Sequence, residues 1–195
     1  MFQQFDYLQS VDSTSEYLKQ FIGQGVPRVI VAGEQLAGKG RYGRHWHSPA
    51  GEGLYVSYLL YPSWSVDRAT YLNSISALAV TSAIRLCGGA ELNPKLKPPN
   101  DILIEGRKVS GVLTELGSLN DRITWAIIGI GVNLHQKIFP PELEAKATSL
   151  ALQGLTAPHP LDFCETLTAE LERLYGSLEA GQWEAVQEKF EHEHF

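Results

Sequence analysis

Residues 101 to 134 contain three strand-like runs, DILI, KVSGVLTEL and ITWAIIGIGVNL, separated only by Glu105-Gly106-Arg107 and by GSLND. Runs rich in β-branched residues and joined by such short turn sequences pair as consecutive hairpins, so this part of the chain is an antiparallel sheet. Two more strands precede it, VPRVIVA (26–32) and LYVSYLLY (54–61), the second ended by Pro62. Helical spacing appears between and around them. Ser13 and Glu16 read as a capping box for TSEYLKQFIG, which puts Tyr17, Leu18, Phe21 and Ile22 on one face. Asp67 reads as the cap of a helix running to residue 86, with Leu72, Ile75, Leu78, Ala79 and Leu86 near its buried stripe and Gly88 and Gly89 as its stop. LDFCETLTAELERLYGSLEA (161–180) is amphipathic, and EKFEHEHF follows as a short helix or a frayed end. A chain of 195 residues, 44% hydrophobic, suits a single domain over 1–195.

Charge narrows the partners. Lys and Arg number 16 against 22 Asp and Glu, and a net charge of −6 argues against general affinity for nucleic acid or anionic membrane. No apolar run approaches the roughly 20 residues of a membrane span, and MFQQFDYLQS has no signal-peptide pattern, so a cytoplasmic protein is expected. Cys87 and Cys164 are far apart, without a CxxC or a partnered His, and read as core packing.

Between the two early strands lies GEQLAGKGRYGRHWHSPAGEG (33–53), a stretch without periodicity that is long for a compact domain unless it binds something. Gly33, Gly38 and Lys39 begin a phosphate-loop pattern, but Gly40 stands where a magnesium-binding Ser or Thr belongs. Gly38, Gly40 and Gly43 allow close backbone approach to a ligand, and Lys39, Arg41 and Arg44 place three cations within six residues. A solvated basic turn is the plain alternative, but such a turn has no use for Trp46. Further on, KPPND (97–101) brings Asn100 and Asp101 to the mouth of one strand, with Lys108 at the start of its hairpin partner. Alone, each is an ordinary turn dipeptide or edge lysine. Asn133, at the end of GIGVN, is alone a strand-terminating Asn.

In order, these stretches resemble the catalytic domain of biotin protein ligases. GKGRYGR (38–44) matches that family's G-R-G-R-x-G-R, KPPND its K-W-P-N-D, KVSGVLTE (108–115) its K-[LV]-x-G-[IV]-L-x-E, and GIGVN (129–133) its G-[IA]-G-[IV]-N. DSTS (12–15) matches its Ser-Thr entry, and the resemblance runs from about residue 5 to residue 183. It implies an α+β fold, a mixed, mostly antiparallel sheet backed by helices and similar to class II tRNA synthetases. It also makes the partial phosphate-loop match accidental.

The implied reaction joins biotin's carboxylate to the α-phosphate of ATP, giving biotinyl-5'-AMP, and then passes biotin to a lysine of a biotin carboxyl carrier protein. By resemblance the catalytic residues are Lys108 and Arg41. Biotin contacts fall to Ser13, Thr14, Ser15, Gln35, Gly38, Lys39, Gly40, Arg41, Trp46, Lys108 and Gly111. ATP contacts fall to Lys39, Arg41, Arg44, Trp46, Asn100, Asp101, Lys108 and Asn133, with Asp101 also a candidate for magnesium, which arrives mostly on the phosphates. Cations are needed because two anions must meet, and a lid is needed because water destroys the mixed anhydride.

Pro98 stands where the family has Trp, and Lys39 where it has Arg, which keeps charge but loses bidentate geometry. Neither the amino-terminal helix-turn-helix nor the carboxyl-terminal small barrel of some relatives is evident, so no DNA binding is expected. Relatives often dimerise through a sheet edge, and the apolar run 123–134 is a candidate for covering in a homodimer. Two rival readings stay open: a lipoate ligase or octanoyltransferase of similar fold, and a non-catalytic biotin-binding relative.

Overall fold

The three consecutive runs do pair as hairpins, on turns tighter than their sequences suggest. In the computed structural model, which describes residues 2, 4–88 and 92–193, β5 (Asp101–Ile104), β6 (Arg107–Leu119) and β7 (Arg122–Asn133) are joined by Glu105-Gly106 and by Asn120-Asp121. All four turn residues have positive φ, between 50° and 75°, as two-residue hairpin loops require. GSLND is therefore not a turn throughout: Gly117, Ser118 and Leu119 still belong to β6.

The other elements are β1 (Gln4–Leu8), α1 (Thr14–Leu18), which continues as a 3-10 segment over Lys19–Gln24, β2 (Arg28–Ala32), β3 (Gly53–Leu60), α2 (Thr70–Gly88), β4 (Lys95–Lys97), α3 (Pro141–Glu144), α4 (Pro160–Glu179) and α5 (Trp183–His192). Seven strands form one sheet in the order β1-β2-β3-β7-β6-β5-β4, and only β1 and β2 run parallel. The α+β, mostly antiparallel architecture expected from the sequence is present. β7 is the central strand, and burial between β3 and β6 accounts for its apolar run; it offers no edge for a dimer. No described helix is long and apolar enough to cross a membrane.

The two faces of the sheet are covered unequally. Val29, Val31, Leu54, Val56, Tyr58, Ile128, Ile130 and Val132 point into a large core beneath α2, α4 and α5. In α4 this core takes Phe163, Leu167, Leu171, Leu174 and Leu178, a helical repeat. Buried hydroxyls on α2 turn back on their own helix, Ser76 to the Leu72 carbonyl at 2.6 Å and Thr81 to that of Ala77 at 2.9 Å. The opposite face carries a much smaller cluster, Leu18, Ile30, Leu59 and Ile127, under α1. Tyr17, Phe21 and Ile22 do pack there, as the helical face predicts.

Several local readings are corrected. Ser13 makes no cap hydrogen bond, because its hydroxyl lies 3.0 Å from that of Ser15, and Glu16 is held instead by two lysines. Asp67 falls within a separate 3-10 turn, Val66–Arg68, ahead of α2, and Leu86 is 66% exposed because the stripe has rotated away from the core there. Gly89 and residues 194–195 lie outside the described residues. The short strands β1 and β4 were not anticipated, and α5 begins earlier than EKFEHEHF. Both cysteines are free; Cys164 is buried, which pushes its thiol up to about 11, and burial also raises Cys87.

Arg85 of α2 grips Glu193 at the end of α5 with two hydrogen bonds, 2.5 and 2.6 Å, and holds that carboxyl below its usual range. A depressed pKa means that the stabilisation is complete above a carboxyl's ordinary pKa of about 4.3 and is lost as pH falls through the lower folded value. Glu193→Gln is expected to cost about 1 kcal/mol or less at pH 7, since the pair is partly exposed, and to cost less still at pH 3. Urea unfolding of both proteins at the two pH values checks this.

Candidate active site

On the lightly covered face the strand register lines up small residues. Across β3, β7, β6 and β5 one row reads Tyr55, Gly131, Gly111, Asp101, and the next row across β3, β7 and β6 reads Ser57, Gly129, Leu113. With little side chain standing up from these rows, the sheet backbone becomes the floor of a cleft lined by Ser13, Gln35, Arg41, Trp46 and Lys108. The Trp46 ring lies directly on this floor. A Cβ added at Gly131 would come within 2.3 Å of its indole, and one at Gly111 within 3.2 Å. Trp46 Nε1 is buried there with no hydrogen-bond partner among the described residues.

Lys108 reaches the same floor through a break in register. Ile102 pairs with Ser110, but Leu103 pairs with Lys108, so Val109 is an extra residue in β6. In a regular strand, positions 108 and 111 would face opposite sides; the bulge turns Lys108 to the side of Gly111. Its ammonium passes over Gly111, where a Cβ would lie 2.9 Å from it, and 5.2 Å from the centre of the Trp46 ring. It ends on the Asp101 carboxylate at 2.6 Å.

The polar wall comes from the start of α1. Ser13, Thr14 and Ser15 are buried. Thr14 donates its backbone N–H and its hydroxyl to Gln35 Oε1, at 2.9 and 3.0 Å, and its oxygen accepts from Ser57 at 2.7 Å. Gln35 Nε2 donates to Ser48 Oγ at 3.0 Å, which donates to the Trp46 carbonyl at 3.0 Å. One chain of hydrogen bonds thus runs from α1 to the loop.

The glycine-rich segment is not shapeless. Trp46 N–H donates to the Gly38 carbonyl and Gly40 N–H to that of Arg44, both at 2.8 Å, making a miniature hairpin tipped by Arg41–Gly43. Gly38 is required where it lies, since a Cβ would be 2.6 Å from the Trp46 carbonyl oxygen. At the tip, Tyr42 has φ 59°, an uncommon conformation for a non-glycine residue.

The cations differ in their partners. Lys39 is paired with Glu16 at 2.6 Å, and Lys108 with Asp101. Arg41 meets only neutral acceptors among the described residues, Asn100 Oδ1 at 3.3 Å and the Tyr42 hydroxyl at 3.2 Å. Asn100 is fixed in turn by donating to the Val112 carbonyl at 2.6 Å.

Of the residues expected from the sequence, Ser13, Thr14, Ser15, Gln35, Lys39, Gly40, Arg41, Trp46, Asn100, Lys108 and Gly111 line the cleft. Four others do not. Gly38 lies beneath the loop, and Arg44 is exposed with its guanidinium 5.9 Å from the Tyr42 ring centre. Asp101 acts as the counter-ion of Lys108. Asn133 is buried, donating to the Thr148 carbonyl at 2.9 Å and more weakly to that of Lys108 at 3.5 Å. Sequence reading missed Ser57, Gly129 and Gly131. The signal was available in the alternation: two glycines spaced by two in β7 share a face, and Ser57 is a lone polar residue in an apolar run.

A mixed sheet with α2, α4 and α5 on one face and, on the other, a cleft lined by Lys39, Arg41 and Lys108 beside α1 defines an α+β domain with a cationic site. The chain belongs to the Biotin/lipoate A/B protein ligase family, whose model matches residues 7–133. It is 37% identical over 155 residues to the bifunctional ligase/repressor BirA of Bacillus spizizenii, covering 77% of this chain and 47% of that protein. To the biotin--[acetyl-CoA-carboxylase] ligase of Paracoccus denitrificans it is 34% identical over 176 residues, 88% of this chain and 73% of the relative. The chain thus spans about half the length of the BirA protein. Among solved structures, the biotin protein ligase of Aquifex aeolicus in complex with biotin and ATP superposes with a TM-score of 0.83 at 30% identity, covering all of this chain and 79% of the other.

Gly131→Ala is expected to unseat Trp46 and with it the loop. An arginine-specific protease should then cut after Arg41 and Arg44 several-fold faster, while the urea midpoint falls by no more than about 1 to 3 kcal/mol equivalent, the usual cost of overpacking.

Proposed function

We propose that this chain activates biotin with ATP as biotinyl-5'-AMP and transfers the biotinyl group to a lysine of a biotin carboxyl carrier protein. The observation that carries the reading is that Lys39, Arg41 and Lys108 come from two separate segments and converge on one glycine-floored cleft whose other wall is Ser13, Thr14, Ser15 and Gln35. The names of the Paracoccus and Aquifex relatives agree with it.

The ureido group of biotin needs both donors and acceptors, and the hydroxyls of Ser13, Ser15 and Thr14 with the Gln35 amide supply them. The carboxylate then lies toward Lys39, Arg41 and Lys108. In the first step a carboxylate oxygen attacks the α-phosphorus of ATP and the bond to pyrophosphate breaks. Arg41, bearing no carboxylate partner among the described residues, takes up the charge that gathers on the phosphoryl oxygens, and Lys108 joins it by releasing Asp101. Magnesium enters with ATP as its phosphate complex; Asp101 is paired with Lys108 at 2.6 Å beforehand and becomes available to the metal only as that lysine releases it. Asn100 positions Arg41, Arg44 assists the departing pyrophosphate, and Asn133 holds the strand end that carries Lys108. In the second step the acceptor amine attacks the anhydride carbonyl and AMP leaves. Trp46 and the loop exclude water meanwhile.

Incubating the protein with ATP, magnesium, biotin and a biotin carboxyl carrier domain should add one biotinyl mass to one lysine of that domain. Replacing biotin by lipoate or octanoate in the same assay should give no product, and product from either would overturn the assignment. Lys108→Ala should lower adenylate synthesis, read by pyrophosphate exchange, by a factor of a hundred or more (~3 kcal/mol), and weaken biotin binding in calorimetry by only about 1 to 2 kcal/mol. Equal losses would make Lys108 a binding group alone. Saturating biotin and ATP should also slow proteolysis after Arg41 and Arg44.

A further inference from the structure

Glu16 stands at the rim of the cleft, directly after Ser15 in α1. Its Oε1 receives two ammonium groups, Lys19 and Lys39, each at 2.6 Å. Lys19 reaches on to Glu115 of β6 at 2.9 Å. Glu115 shares a row with Ile127 and Leu59, which belong to the small core beneath α1. Four side chains of alternating sign therefore run in a line from the sheet, through α1, to the loop. The two lysines hold the Glu16 carboxyl below its usual range, as a fully engaged carboxylate requires.

The far end of this line is placed where it matters. Lys39 pairs its backbone with His45 at the base of the miniature hairpin whose tip carries Arg41 and Tyr42. Among the described residues, no other cation of that hairpin meets a carboxylate: Arg41 and Arg44 rest on the Tyr42 ring. Among the described residues, Glu16 thus makes the single ionic tie between the hairpin and the body of the domain.

We propose that Glu16 is a positioning residue that latches the glycine-rich loop through Lys39, and so sets how long an acyl-adenylate is retained in the cleft. The retention clause rests on the adenylating reading above; the latch itself does not. Lysine suits this role in a way that a bidentate guanidinium does not, since its ammonium shares Oε1 with Lys19, whereas a guanidinium fork would claim both carboxylate oxygens. The pair is partly exposed, with side-chain exposures of 48% and 37%, so the tie is weak enough to open on each cycle.

The test uses the full chain without ligand and an arginine-specific protease. Glu16→Gln should speed cleavage after Arg41 and Arg44 about threefold, the scale of a half-exposed ion pair, with an unchanged urea midpoint. Lys39→Gln alone should reproduce that rate, and adding Glu16→Gln to it should change nothing further. Salt at 0.5 M, a concentration that screens exposed pairs, should raise the parent to the variant rate and leave the variants where they are. Parental cleavage rates in Lys39→Gln, or a further acceleration when the two changes are combined, would overturn the latch even if Glu16→Gln disturbed α1. For retention, protein loaded with biotin and labelled ATP is chased with unlabelled ATP: Glu16→Gln should lose bound adenylate several-fold faster while its pyrophosphate exchange stays within about twofold of the parent. Loss at the parental rate would overturn the retention role. A parent that makes no adenylate at all would overturn the functional reading and leave the proteolysis to decide the latch.

Discussion

The seat of the Trp46 ring on Gly131 and Gly111 is the contact from which the cleft is built. It joins two parts of the chain that have no covalent reason to meet, the central strands of the sheet and a loop inserted between two outer ones. Because the ring rests on backbone, the hairpin behind it is brought low over the sheet, and Lys39 and Arg41 come down with it. The Gln35, Ser48 and Trp46 carbonyl relay ties the same loop to Thr14. Removing the ring would leave a bare strip of strand; adding a methyl beneath it would lift the lid. Floor and cover are one contact seen from two sides.

Electrostatics within the cleft are mostly pre-compensated. Lys39 and Lys108 each carry a carboxylate partner, whereas Arg41 is held by an amide and a phenol. An anion entering the cleft meets Arg41 without competition, and engages Lys39 or Lys108 only by displacing or sharing Glu16 or Asp101. Small anions of low charge gain little from that exchange. A ligand with several negative oxygens gains more, which discriminates by charge number rather than by shape. The placement of Lys108 depends in turn on one extra residue in β6: three positions separate it from Gly111, and only the bulge at Val109 brings the two to the same face.

Much of this was legible in the sequence, for reasons that separate cleanly. The hairpins from 101 to 134, strands β2 and β3 and helices α2 and α4 announce themselves through periodicity and turn residues, because each buries one face. β1 and β4 do not: one has only two alternating apolar residues, Phe5 and Tyr7, both exposed, and the other has three residues. The loop cations, Asn100 and Lys108 were visible as residue types out of place in turns and edges. Their ion partners were not, because Glu16 and Asp101 meet their lysines only through tertiary register. The capping box failed for the same reason: Ser13 and Glu16 have the right spacing, but both side chains are drawn into the site. The lone Ser57 and the paired glycines of β7 are legible in the alternation alone.

The unequal cores have a consequence for how the molecule breathes. The helix-covered face is sealed by three helices and a continuous apolar layer, while the opposite face is closed by four buried residues beneath α1. Local opening follows the cheaper route. Amides of α1 and of the segment that follows it are expected to exchange with solvent before those of α2 and α4, even though both sides share the same strands. The domain is in this sense a rigid shell with a soft palate: the half that carries the cleft rests on the smaller core, and it is the half expected to loosen first.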